Sequence, residues 1–185
     1  MPMDVPIPVT ADHSITCGIF KGFSWIRCEG KGSFLNSPLM KSFGESRVSE
    51  GESLLVVDLT SCSGMDSTFM GTLAGMATRL ATRDGGALQI AGADERNRRS
   101  LEDLGLDFLM QINPDAGPWQ GQLDEIRSCL QPAQLNESLN QRQRAEHVLQ
   151  AHEKLSEIND KNAREFNQVV DTLKRQTTDE PTSES

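Results

Sequence analysis

The feature that most constrains this chain is the apolar run Leu54-Leu55-Val56-Val57, which ends at Asp58 and leads through small polar residues into a helical pattern. A run without a polar face suits a strand buried on both sides, so it is placed at the centre of a sheet. Thr60 to Asp66 reads as a loop. From Ser67 the residues Met70, Leu73, Ala74, Ala77 and Leu80 recur at helical spacing, which predicts a helix ending before Asp84-Gly85-Gly86.

The flanking segments extend this unit. Between His13 and Glu29 the alternation of Ile15, Ile19, Phe20, Trp25 and Ile26 predicts two short strands joined as a hairpin around Gly22. Gly30 to Phe34 is expected to turn. Asn36-Ser37-Pro38 then starts a short helix reaching about Phe43, with a capping side chain and a proline in the first turn. Ala87 to Ala91 predicts another strand, Glu95 to Leu104 a helix stopped by Gly105, and Phe108 to Ile112 a last short strand. Strands alternating with helices imply an α/β fold with a mixed, mostly parallel sheet of about four to five strands and right-handed crossovers. This domain is assigned residues 13–113, after an N-terminal segment, 1–12, punctuated by Pro2, Pro6 and Pro8.

Two prolines and a glycine between Asn113 and Pro118 mark a boundary, followed by a linker with a short helix over 114–135. Residues 136–176 form an amphipathic extension of one helix or a pair. Its apolar positions Val148, Leu149, Leu155, Ile158, Phe166, Val169, Val170 and Leu173 recur every three or four residues, interrupted by Asn159, Asn162 and Asn167. Such a stripe can cover its own domain or form a homodimer. The polar, acidic stretch 177–185 is expected to be disordered, having too little apolar area to offset the entropy of ordering.

Composition narrows the function. A net charge of -9 opposes binding to phosphate polyanions, so direct nucleic-acid contact is not expected. No run approaches the roughly 20 apolar residues of a spanning helix, and Met1 to Thr10 lacks the basic and apolar parts of a secretory leader, so no membrane insertion and a cytoplasmic location are expected. Cys17, Cys28, Cys62 and Cys129 are scattered, and His147 and His152 are five apart, which places them on different helix faces. No metal is expected. Gly30-Lys31-Gly32 and Gly85-Gly86 lack the spacings of nucleotide-binding loops, so no cofactor is expected either. Arg96, Arg98 and Arg99 read as a solvated helix face.

The functional signal lies where the central strand meets its helix. The first backbone N–H groups of a helix lack intrahelical partners and sit at the positive end of its dipole, so Asp66 or Ser67 can cap there and a phosphate can be accommodated. Asp58 followed by Met65-Asp66-Ser67-Thr68 and Gly71 resembles the signature loop of the STAS domain family, in its anti-sigma factor antagonist form. Glu29-Gly30 with Phe34-Leu35-Asn36-Ser37-Pro38, and Gly86 to Gly92 with the helix to Leu104 and Gly105-Leu106, are similar to that family's neighbouring segments.

The resemblance implies that Ser67, or alternatively Thr68, is phosphorylated by a GHKL-type serine kinase that doubles as an anti-sigma factor. A PP2C-type phosphatase reverses the modification. Met65, Asp66, Thr68, Phe69, Asn36 and Asp58 match positions around the partner surface. Phe69 stands where the family often has glycine, and it either packs inward or anchors a partner. An alternative within the family is a scaffold or accessory subunit, in lipid transport or biofilm signalling, with no phosphorylation. Catalysis by Ser67 is not expected, because a nucleophile needs a positioned base and the histidines fall in the N-terminal strand region and the appended helix.

Overall fold

A computed structural model describes residues 14–135 and 137–178 of the chain. His13, the segment 1–12 and residues 179–185 of the expected tail lie outside the described residues. In chain order the elements are β1 (Ile15–Phe20), β2 (Phe23–Cys28), β3 (Gly30–Gly32), α1 (Ser37–Ser49), β4 (Leu54–Asp58), β5 (Cys62–Met65) and α2 (Ser67–Ala81). They continue with β6 (Ala87–Ala91), α3 (Glu95–Asp103), β7 (Gln111–Ile112), α4 (Leu123–Ser128), β8 (Gln131–Pro132), α5 (Gln141–Ile158) and α6 (Asp160–Thr178).

The strand β4 is central, as its apolar run requires. The main sheet has the order β7-β6-β4-β2-β1-β8, in which β4 runs parallel to β2 and β6 while β1 and β2 form the antiparallel hairpin. Because side chains alternate across a strand, β4 feeds two cores. Leu55 and Val57 join Ile26, Phe69, Leu73 and Leu80 beneath the helices, while Val56 joins Phe23, Trp25, Trp119 and Ile126 on the opposite face.

Four expectations change. Helix α1 continues to Ser49 instead of stopping near Phe43, because Gly44 is a packing position: a Cβ there would lie 2.5 Å from Met76 Sδ. The segment read as a turn after Glu29 contains β3, which pairs in parallel with β5 in the segment read as a loop. Backbone bonds alone make this pair, including Gly30 N–H to Ser61 O at 2.9 Å and Asp66 N–H to Gly32 O at 2.9 Å. Of the last predicted strand, Phe108 ends a 3-10 turn over Leu106–Phe108 and Gln111–Ile112 alone join the sheet. Finally, Thr177 and Thr178 belong to α6 and not to the tail.

The segment 114–135 is also more than a linker. Trp119 packs edge-on to Trp25 with ring centres 5.4 Å apart and donates from Nε1 to Gln89 Oε1 at 2.7 Å. The short strand β8 pairs with β1, and Arg127 from α4 binds the fully buried Asp58 with Nε to Oδ2 at 3.0 Å. This stretch covers the second face of the sheet, which the domain up to residue 113 would leave open.

The extension resolves into the helical hairpin α5–α6, laid against α2. Two of its three asparagines have structural tasks. Asn159 ends α5 and accepts from Asn162 N–H at 2.8 Å, while Asn162 donates from Nδ2 to Leu104 O at 2.8 Å. Leu155 and Phe166 join the core beneath the helices and Val170 is buried, so part of the amphipathic stripe packs against its own domain, while Val169 stays exposed.

Replacing Arg127 with alanine leaves the Asp58 carboxylate buried without its cation, and loss of one partner of a buried pair costs about 3 kcal/mol. Urea unfolding of Arg127→Ala should show a loss near that size, with Arg127→Lys recovering part of it.

Candidate functional site

The start of α2 is held by Asp66. Its Oδ1 accepts from Phe69 N–H at 2.8 Å, capping the helix, and its Oδ2 accepts from Phe34 N–H at 2.8 Å in the loop before α1. One carboxylate thus ties two loops together and puts negative charge at the positive end of the helix. Asn36 organises the neighbouring turn without capping α1. Its Oδ1 accepts from Ser33 N–H at 2.8 Å, while Nδ2 donates to Lys31 O at 2.9 Å and to Ser14 Oγ at 3.0 Å.

The positions matched to a partner surface divide in two. Ser67, Asp66 and Met65 are half-buried, beside the exposed Phe34 and Leu35. Phe69 is fully buried against Gly32, where a Cβ would lie 2.8 Å from its ring, so this phenylalanine is a core residue and no partner anchor. Asp58 is likewise fully buried and paired with Arg127 from α4, and Asn36 and Thr68 are also buried, so these three side chains are not exposed at the start of α2.

The hydroxyl of Ser67 is not free. His152 Nε2 from α5 lies 2.8 Å from Ser67 Oγ, and His152 Nδ1 lies 2.8 Å from Val148 O. A carbonyl oxygen only accepts, so Nδ1 carries the hydrogen, and in the neutral ring Nε2 accepts from Ser67. The Phe166 ring backs the imidazole, with centres 5.5 Å apart. His147, one turn and a half earlier, makes a 2.7 Å bond with Ser37 Oγ and a 3.5 Å contact with Thr72 Oγ1. A histidine of the appended helix thus reaches Ser67, although the two lie far apart in the chain. Separation by five residues puts the two rings on different sides of α5, and each finds a hydroxyl because α5 lies along both α1 and α2.

This pairing does not assemble a hydrolytic triad. His152 is oriented by a backbone carbonyl instead of a carboxylate, and Ser67 is not among the lining residues of the groove of about 380 Å³ between α1, α2 and α5. That groove is lined by Lys41, Gly71, Gly75, Arg79, Gln150 and Lys154, among others.

Burial pulls the His147 pKa down to about 4, helped by the nearby Lys41 charge and opposed by Asp66. The folded state thus holds His147 neutral, so between its ordinary value of 6.5 and about 4 the unfolded chain binds the extra proton and stability falls as pH falls. Denaturant midpoints of the wild type should therefore drop more steeply than those of His147→Gln across that window. A separate loss of about 2 kcal/mol is expected for Asp66→Ala, from the lost cap, read by equilibrium unfolding.

The fold has known counterparts. A candidate anti-sigma factor antagonist of Thermotoga maritima matches with a TM-score of 0.51 at 17% identity, over 63% of this chain and 97% of its own. An anti-sigma factor antagonist of Mycobacterium paratuberculosis gives 0.48 at 19% identity, over 61% and 92%. The phosphorylated form of the Bacillus cell fate determinant SpoIIAA gives 0.47 at 16%, over 61% and 99%. No curated protein sequence matches the chain. The STAS domain profile matches residues 17–117, more than half of the sequence, and with the strand, loop and capped helix around Ser67 in place, the chain belongs to the STAS domain family.

Proposed function

We propose that this protein is a phosphorylation-controlled protein-binding regulator of the anti-sigma factor antagonist kind, with Ser67 as its switch. The observation that carries the reading is the position of the Ser67 hydroxyl on the first residue of α2, next to the capping Asp66. The Met65-Asp66-Ser67-Thr68 resemblance supports it, as does family membership. The partner is a GHKL-type serine kinase that also serves as the anti-sigma factor. It transfers the γ-phosphoryl group of ATP to Ser67 Oγ, the bond to ADP breaks, and the hydroxyl proton leaves to a base. A PP2C-type phosphatase removes the group by hydrolysis.

The switch works by charge. A phosphate adds about -1.5 to -2 charge beside Asp66, where the helix terminus compensates part of it within the protein. At an interface the same group is desolvated, and a loss of only about 1.4 kcal/mol weakens affinity tenfold. Partner release then needs no change of fold.

One observation favours the alternative of a static family scaffold: the Ser67 hydroxyl is already bonded to His152 of the same chain. The two readings separate on the state of Ser67 in cells. Recovery of the full chain from its native cells followed by mass analysis should find phosphate on Ser67, and Ser67→Asp should bind the kinase partner at least about tenfold more weakly than Ser67→Ala. Equal binding by two folded variants, with no phosphate found, supports the scaffold instead.

A further inference from the structure

Three contacts place α5 along α2, and a fourth ties it to α1. Besides the Ser67 to His152 bond, a Cβ on Gly71 would overlap the Ala151 carbonyl oxygen, and a Cβ on Gly75 would touch Lys154 Cγ at 3.7 Å. His147 bonds Ser37 at the start of α1. Ser67, Gly71 and Gly75 are spaced four apart, so they share one face of α2, and Gly71 lets the backbone of α5 approach where any side chain would hold it off, while a Cβ at Gly75 would make only ordinary contact with Lys154. The contact is continuous from the hydroxyl to the second helical turn.

We infer that this face of α2 is a single docking surface with two mutually exclusive occupants, the chain's own α5 and the kinase-type partner that must reach Ser67. The inference rests on the function proposed above and adds its regulation: the C-terminal hairpin is a competitor in cis. An incoming phosphoryl donor has to stand in line with Ser67 Oγ, and His152 Nε2 holds the hydroxyl's hydrogen-bonding direction at 2.8 Å while the Ala151 backbone fills the next turn. A partner therefore engages only the fraction of molecules with the hairpin lifted, and its apparent affinity falls by that fraction.

Lifting the hairpin breaks no hydrogen bond of the sheet. On α5 the buried side chains are His147, Ala151, His152 and Leu155, two of them polar, whereas the opposite side of α2 buries Phe69, Leu73 and Leu80 into the main core. Leu155 and Phe166 add apolar contact with the main core, and the polar attachments are Lys41 Nζ to Gln150 Oε1 at 2.6 Å, Lys161 Nζ to Asp103 O at 3.1 Å and Asn162 Nδ2 to Leu104 O at 2.8 Å.

The test uses full chains with Cys129 replaced by serine, incubated with ATP and an extract of native cells, with phosphate on Ser67 followed by mass spectrometry and amide exchange measured separately. Gly71→Ala forces α5 away and should speed exchange in α5 and phosphorylation of Ser67 by about tenfold each, while β4 and β6 stay protected. His152→Ala, which removes one bond without a clash, should shift both in the same direction by less. Gly75→Cys with Lys154→Cys, oxidised by glutathione disulfide to a protein disulfide and two glutathione thiols, locks the hairpin. The locked form should take phosphate about tenfold more slowly than the reduced form. Equal rates in locked and reduced chains overturn this inference and leave the phosphorylation reading standing. Absence of phosphate from every form, including Gly71→Ala with its hairpin shown open, overturns the parent reading and this one together.

Discussion

Helix α2 is buried over most of its surface, and that surface is covered from two sides. The sheet covers one side through Phe69, Leu73 and Leu80. The other is covered by α5, which comes close enough only because Gly71 has no side chain where the Ala151 carbonyl sits. That close approach sets the rest of the site. It brings His152 to Ser67, puts His147 between Ser37 and Thr72, and makes the environment of the start of α2 depend on residues far along the chain.

The residues beyond the STAS match complete the molecule on both faces of the sheet. Trp119, α4 and β8 close the face that carries Trp25 and Val56, with Arg127 neutralising Asp58 at the end of the central strand. The hairpin α5–α6 closes the helical side. A chain ending at the family boundary would leave Trp25 uncovered, Asp58 unpaired and the glycine face of α2 open to solvent.

Elements whose residues repeat with a local period were legible before the structure. The hairpin around Gly22, the strands at Leu54 and Ala87 and the helix from Ser67 stand close to where their spacing places them, and the capping role of Asp66 follows from its position. The pair β3–β5 was not legible, because a Gly-Lys-Gly strand held by backbone bonds carries no side-chain pattern. Contacts such as Asp58 with Arg127 and Ser67 with His152, the latter 85 residues apart, leave no trace in either local segment. Some signals were present. A tryptophan at position 119 in an otherwise polar stretch marks a buried contact, a carboxylate ending a buried strand needs a cation, and glycines four apart on an apolar helix mark a close neighbour.

At the chemical centre, a histidine with its tautomer fixed by a backbone carbonyl holds the serine hydroxyl on which the proposed switch depends. Nitrogen NMR of the His152 side chain in the full protein tests this most directly. The account predicts hydrogen on Nδ1, a bare Nε2, and an Nε2 signal that shifts when Ser67 is replaced by alanine. Hydrogen on Nε2 of the neutral ring, or an Nε2 signal indifferent to that replacement, would contradict it.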